Sequence, residues 1–248
     1  MDLASIRHFK YNAIKKWVMT QRPVWLYGPP ASSKTHMSEQ IAEDLGLTYF
    51  PIPIGPTMTE SKLVGFLNAG AGSFVPGLMY EPYKSGGLIY LDEVDVAEPQ
   101  VLVSLNAMLA NKGYRFPNGE YVLRHPNAYF LASGNTMGTG NVKGMKRNVQ
   151  DAATLSRWIF VEVPYDLNLE RSLCKHKNWV GYVQRVRKFL EGLATGKSIL
   201  ITPRMSLNGD AAIDQGISAD EILECILFVG MDSDLKNQVL HNCGKFSY

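Results

Sequence analysis

Lys34 and Thr35 close the run Gly28-Pro29-Pro30-Ala31-Ser32-Ser33-Lys34-Thr35. The apolar stretch before it, residues 23–28, reads as a buried strand ending in a turn, and residues 34–45 read as a helix. A loop that joins a strand to a helix points backbone amides and the positive end of the helix dipole at an anion lying over it. An ammonium and a hydroxyl at the end of such a loop suit the β and γ phosphates of a nucleoside triphosphate and a Mg2+ ion. Two positions depart from the G-x-x-x-x-G-K-[ST] pattern: Ser33 stands where glycine precedes the lysine, and Ala31 occupies a position often filled by glycine. Glycine serves there for unusual dihedrals and close backbone approach. The departures bear on nucleotide affinity rather than on fold.

A chance Lys-Thr pair in an ordinary strand–turn–helix is the competing reading, and a second motif argues against it. In LIYLDEVD, Asp92 and Glu93 follow four apolar strand residues. Acids at the C-terminal end of a strand lie in the crevice where α/β sheets bind ligands. Asp92 suits the metal shell, and Glu93 suits the orientation and deprotonation of an attacking water. Three further residues have the right chemistry but weaker contexts. Asn135 ends another apolar strand in Ser133-Gly134-Asn135, where it could bond the water or the γ phosphate or simply make a turn. Arg157 precedes the last core strand in LSRW, where it is either a neighbour's charge-stabilising group or a surface arginine. Arg204 follows Pro203 in the first turn of a helix, a place the dipole does not favour for a cation.

Positioning these groups requires a layered scaffold. Buried strands are expected over 23–28, 48–54, 87–95, 128–135 and 158–163, with helices over 4–20, 34–45 and 97–111. Alternation of strands and helices implies an α/β fold whose parallel sheet is covered on both faces. A hairpin is expected at 113–123, with Asn118-Gly119 in its turn. Beyond about residue 167 the pattern is helical, with Pro164 and the segment YDLN at the boundary. The expected organisation is a nucleotide-binding core over 1–165 and a small helical lid over 166–248.

Bulk properties exclude several classes. Hydrophobic residues make up 46% of the 248 and charged residues 19%, which fits a packed globular chain and not a disordered one. The formal charge of +2 gives no global drive toward nucleic acid. The basic clusters Lys143/Lys146/Arg147 and Arg185/Arg187/Lys188 read as solvated faces, leaving nucleic acid a weakly supported partner. Three cysteines without a C-x-x-C pair, and no apolar leader or membrane-length run, point to a reducing cytoplasm and no membrane.

Taken in order, GPPASSKT, LVGFLNAGAGSFVPGLMYEPYKSGGLIYLDEVD, ASGNT, DAATLSRW and TPR resemble the AAA+ ATPases, in the branch with MoxR-type proteins, the small cobaltochelatase subunit and dynein-related domains. The resemblance covers roughly residues 10–210 and implies a five-stranded parallel sheet between helices with a C-terminal helical lid. It implies ATP and Mg2+ as ligands, with Lys34 and Thr35 in the phosphate loop and Asp92 and Glu93 as metal-binding and catalytic acids. Asn135 becomes sensor 1, Arg157 the arginine finger and Arg204 sensor 2. It places insertions at about 57–85 and 113–123, facing a pore or substrate, and implies a homo-oligomeric, hexameric ring that remodels a protein partner. The alternatives are a nucleotide-gated scaffold with slow hydrolysis, which Ser33 favours, and a DNA-associated motor or helicase loader, which rests on the basic clusters and the hairpin.

Overall fold

A computed structural model describes residues 6–141, 145–193 and 199–247. Contacts divide the chain into two compact units, Phe9–Pro29 with Ser33–Pro164, and Tyr165 onward with the short stretch Pro30–Ser32 and the N-terminal residues.

The first unit begins with α1 (Tyr11–Met19), β1 (Val24–Tyr27), α2 (Lys34–Asp44) and β2 (Tyr49–Pro53). It continues through α3 (Glu60–Val64), the hairpin of β3 (Gly65–Asn68) and β4 (Ser73–Pro76), and α4 (Tyr80–Ser85). Next come β5 (Gly87–Asp92), α5 (Pro99–Ala110), the hairpin of β6 (Gly113–Arg115) and β7 (Tyr121–Leu123), then β8 (Ala128–Gly134), α6 (Ala152–Leu155) and β9 (Ile159–Glu162). Five strands form one parallel sheet in the order β2-β5-β8-β1-β9. Side chains alternate across a strand, so each apolar run fills two cores. Leu88 and Tyr90 of β5 join Val24 and Leu26 against Ile14 of α1 and Met37 and Ile41 of α2. Ile89 and Leu91 join Trp25 and Phe130 against Tyr83 of α4 and Leu102 and Leu105 of α5. This double covering is why the strands read as continuous apolar segments.

The N-terminal helix starts at Tyr11, later than the pattern from residue 4 suggests, and residues 1–5 lie outside the described part. The 113–123 hairpin forms, with Gly119 at φ 84. The β3–β4 hairpin was not anticipated. Its turn is held by Asn68, whose side-chain oxygen accepts from the amides of Gly70 (3.1 Å) and Ala71 (3.3 Å).

The second unit contains α7 (Leu167–Leu173), α8 (Lys177–Glu191), α9 (Pro203–Asp214), α10 (Ala219–Ile222) and α11 (Ser233–Cys243). Trp179, Tyr182, Val183 and Val186 make the apolar stripe of α8 and pack with Ile213, Leu227 and Val239. A buried ion pair crosses this unit. Arg187 Nη1 and Nη2 donate to the two oxygens of Glu170 at 2.8 and 2.7 Å, Ser206 Oγ donates at 2.6 Å, and Arg187 Nε donates to Ile201 O at 2.8 Å. Arg187 is therefore not part of a solvated basic face, which corrects the reading of the 185–188 cluster. Among the described residues, no helix is long and apolar enough to cross a membrane.

Candidate functional site

Strand β8 sets the positions of the candidate residues. Leu91 pairs with Ala132, which brings Asp92 level with Ser133. Tyr27 pairs with Gly134, which brings Gly28 level with Asn135. All three strands run parallel, so their C-terminal ends, and the residues just after them, collect at one edge of the sheet.

The loop after β1 is tightly built. At Gly28, with φ 150, an added Cβ would overlap the carbonyl oxygen of Val163. The Lys34 ammonium, almost fully buried, donates to Gly28 O and Pro29 O, both at 2.9 Å. Ala31 has φ 63 and Ser33 φ 69, so both departures from the glycine pattern sit in the left-handed region. That conformation costs a residue with a Cβ about 1–2 kcal/mol. Ser33 is also the N-cap of α2, without a side-chain cap bond, so the amides opening the helix are not closed off by its hydroxyl.

The acidic side of the edge is a hydroxyl-lined carboxylate. Asp92 accepts from Thr35 Oγ1 at 3.2 Å, from the Tyr90 hydroxyl at 3.0 Å, from the Glu93 amide at 3.0 Å, and from Ser133 Oγ. Burial, and then the negative charge of Asp92, push the Tyr90 hydroxyl far above its ordinary value, so it stays protonated and donates. A threonine hydroxyl and a carboxylate, both hard oxygen donors, form a set that suits Mg2+ completed by phosphate oxygens and water. Glu93 holds φ 55 and ψ 38, a left-handed conformation rare for this residue. Its carboxylate is exposed and has no hydrogen bond or ion pair among the described residues. Backbone strain of this kind gathers at functional sites.

Asp95, two residues on, is fully buried. Its Oδ2 accepts from the amides of Asn135 and Thr136, both at 2.9 Å, from Thr136 Oγ1 at 3.2 Å, and from Arg147 Nε at 3.0 Å. Space for it is made by Gly134, where a Cβ would stand 3.0 Å from Asp95 Cγ. With its amide oriented so that both ends are paired, Asn135 donates to Gly28 O at 3.3 Å and accepts from Arg147 Nη2 at 2.5 Å. The stretch carrying Arg147 is pinned to the same turn: Asn148 N donates to Asp95 O at 2.9 Å, and Gln150 Nε2 to Ala97 O at 2.9 Å.

The structure thus brings Gly28, Lys34, Thr35, Asp92 and Asn135 to one edge. Arg157 is not among them. It precedes β9, whose Ile159 pairs with Val24, and its Nη1 turns back to donate to Ala153 O. Arg204 is exposed in the first turn of α9, in the second unit. Tyr90, Ser133, Asp95 and Arg147 are the contributors that sequence reasoning passed over as site residues. Tyr90 and Asp95 were hidden in a motif already assigned to its neighbours. Arg147 was read as a solvated cation, whereas its side chain is 13% exposed and ion-paired. Lys143, assigned to the same cluster, lies outside the described residues.

Residues 23–158 match the AAA domain of the dynein-related subfamily. An uncharacterised protein of Staphylococcus saprophyticus is 23% identical over 199 residues, covering 75% of this chain and 73% of its own. One from Staphylococcus aureus strain USA300 is 22% identical over 213 residues, covering 77% and 78%. Among solved structures, NtrX from Brucella abortus is similar in fold, with a TM-score of 0.52 at 16% identity over 95% of this chain and 68% of that one.

Proposed function

The chain belongs to the dynein-related subfamily of AAA domains, and on that footing we propose that it binds ATP with Mg2+ and hydrolyses it, as a ring that does conformational work on a protein partner. The observation that carries the proposal is the meeting of Thr35 and Asp92, 3.2 Å apart, beside a loop whose lysine is drawn in among its carbonyls. In this reading the amides that open α2 and the Lys34 ammonium hold the β and γ phosphates. Thr35 and Asp92 would hold Mg2+, which would supply charge neutralisation to the phosphates. Glu93, the unpaired exposed carboxylate, takes the proton of the water that attacks the γ phosphorus, while the bond to the β–γ bridging oxygen breaks and ADP departs with that electron pair. Asn135 orients the water or the γ phosphate. Arg204 is assigned a role toward the bound nucleotide, and Arg157 one toward a neighbouring subunit.

Glu93→Gln tests the proposal. The variant is expected to bind ATP as the parent does and to lose turnover by about 10²–10⁴-fold. Turnover at the parental rate would remove Glu93 as the base. A slower, nucleotide-gated binding protein is the second reading. It is favoured by Ala31 and Ser33, two residues with side chains held at positive φ in the loop.

A further inference from the structure

We propose that Arg147 is a positioning residue that fixes which end of the Asn135 amide faces the nucleotide. The proposal rests on the reading of Asn135 as the residue that meets the γ phosphate or the attacking water.

An asparagine amide has two ends of nearly equal shape, a carbonyl oxygen that accepts and an NH2 that donates twice. Near a phosphate only the NH2 end is useful, because the carbonyl would meet another oxygen. Packing cannot tell the ends apart. Only a partner of fixed polarity can. Arg147 is such a partner: a guanidinium has five N–H donors in a rigid plane and no acceptor. Its Nη2 lies 2.5 Å from the Asn135 end that must therefore be the carbonyl. This turns the NH2 toward the phosphate loop, where one N–H donates to Gly28 O at 3.3 Å; in the reading of Asn135 as a nucleotide contact, the amide's second N–H serves the ligand.

The guanidinium is itself held by a second edge. Its Nε donates to Asp95 Oδ2 at 3.0 Å, the oxygen that also accepts the amides of Asn135 and Thr136. One fully buried carboxylate thus anchors the backbone of Asn135, and through Arg147 it also orients the side chain. Asp95 belongs to the short turn that follows Glu93, so the same construction ties the two candidate reacting groups together. Lysine could neutralise Asp95, but as a single point charge it cannot also span to Asn135 in a fixed plane.

The test is a cycle of purified variants, Arg147→Lys, Arg147→Ala, Asn135→Ala and the double Arg147→Ala/Asn135→Ala. It uses two readouts, ATP turnover and the preference for a non-hydrolysable ATP analogue over ADP by fluorescence titration. Arg147→Lys, which keeps a cation beside Asp95 and so keeps the fold, is expected to lose kcat by on the order of 10²-fold, with KM within about threefold. Asn135→Ala should match that loss, and the double variant should lose no more than Asn135→Ala alone, since the arginine acts through the asparagine. The analogue-over-ADP preference should fall by the same factor in all three single variants. Losses that multiply in the double variant, full kcat in Arg147→Lys, or an unchanged preference in any single variant would overturn the proposal. If the parent chain does not turn over ATP, the hydrolytic reading fails. The preference cycle then decides the role of Arg147 by itself.

Discussion

Arg157 and Gly28 stand at opposite ends of one pair of parallel strands: Arg157 precedes Ile159, the partner of Val24, whereas Gly28 follows Tyr27, the partner of Glu162. The four steps from Ile159 to Val163 alone cover roughly 13 Å at about 3.3 Å per residue, and Arg157 lies two residues before Ile159 in a turn. An arginine cannot cover that distance within its own subunit. If Arg157 completes a phosphate site, the site belongs to a neighbour. Mixing then gives a sharp outcome. Lys34→Ala and Arg157→Ala should each be nearly inactive, and an equimolar mixture should regain part of the parental ATPase rate, because some interfaces pair an intact loop with an intact arginine. An arginine supplied in this way is worth ~10³–10⁵ in rate in well-studied phosphoryl transfer. No recovery in demonstrably mixed assemblies would exclude a role in trans.

Lys34→Ala should weaken ATP binding by about 10–100-fold, the worth of one charge-assisted hydrogen bond. In the variant the loop carbonyls Gly28 O and Pro29 O lose the ammonium that bonds them. Isothermal titration with ATP and Mg2+ measures this, and an unchanged Kd would show that the ammonium does not meet the phosphates.

Ser33→Gly should raise thermal stability by about 1 kcal/mol, since it relieves a left-handed conformation at φ 69. Nucleotide affinity should be unchanged or tighter. A clear loss of affinity would mean that the Ser33 hydroxyl itself contacts the ligand.

The Glu170–Arg187 pair gives the helical unit an acid limit. Burial alone would raise the Glu170 carboxyl, but hydrogen bonds from Arg187 and Ser206, with the arginine's charge, together hold it below its ordinary value of about 4.5. A depressed folded value means that stability is fully present above pH 4.5 and is lost as the pH falls from there through the folded value. Glu170→Gln should be less stable at neutral pH, and its loss of stability on acidification should be shallower. Arg187→Ala should cost about 3–5 kcal/mol, because it leaves a buried charge unpaired. Melting curves between pH 3 and 7 measure both. Parallel acid profiles for parent and Glu170→Gln would discount the pair as the source of acid sensitivity.

The sheet was legible because a parallel sheet buried on both faces leaves unbroken apolar runs such as Leu88–Leu91 and Phe130–Ala132. The proximity of Thr35 and Asp92 was legible for a related reason: both follow apolar strands whose ends must share an edge. The β3–β4 hairpin was not, since its strands include Gly65 and Pro76 and its turn is a glycine-rich stretch without an Asn-Gly pair. Arg147 was misread because its partner Asp95 lies 52 positions away, and a local cluster of cations says nothing about a distant acid. Arg187 escaped in the same way, with Glu170 17 positions off.

The close seating of Gly28 against Val163 restricts what position 28 can hold. The first residue of the phosphate loop and the residue just after β9 lie backbone against backbone, with the Val163 amide donating to Tyr27 O at 2.7 Å. Val163 is also where the chain leaves the sheet, one residue before Pro164. A side chain at position 28 would overlap the Val163 carbonyl, so the start of the loop and the backbone just after β9 can keep this seating only while position 28 remains glycine.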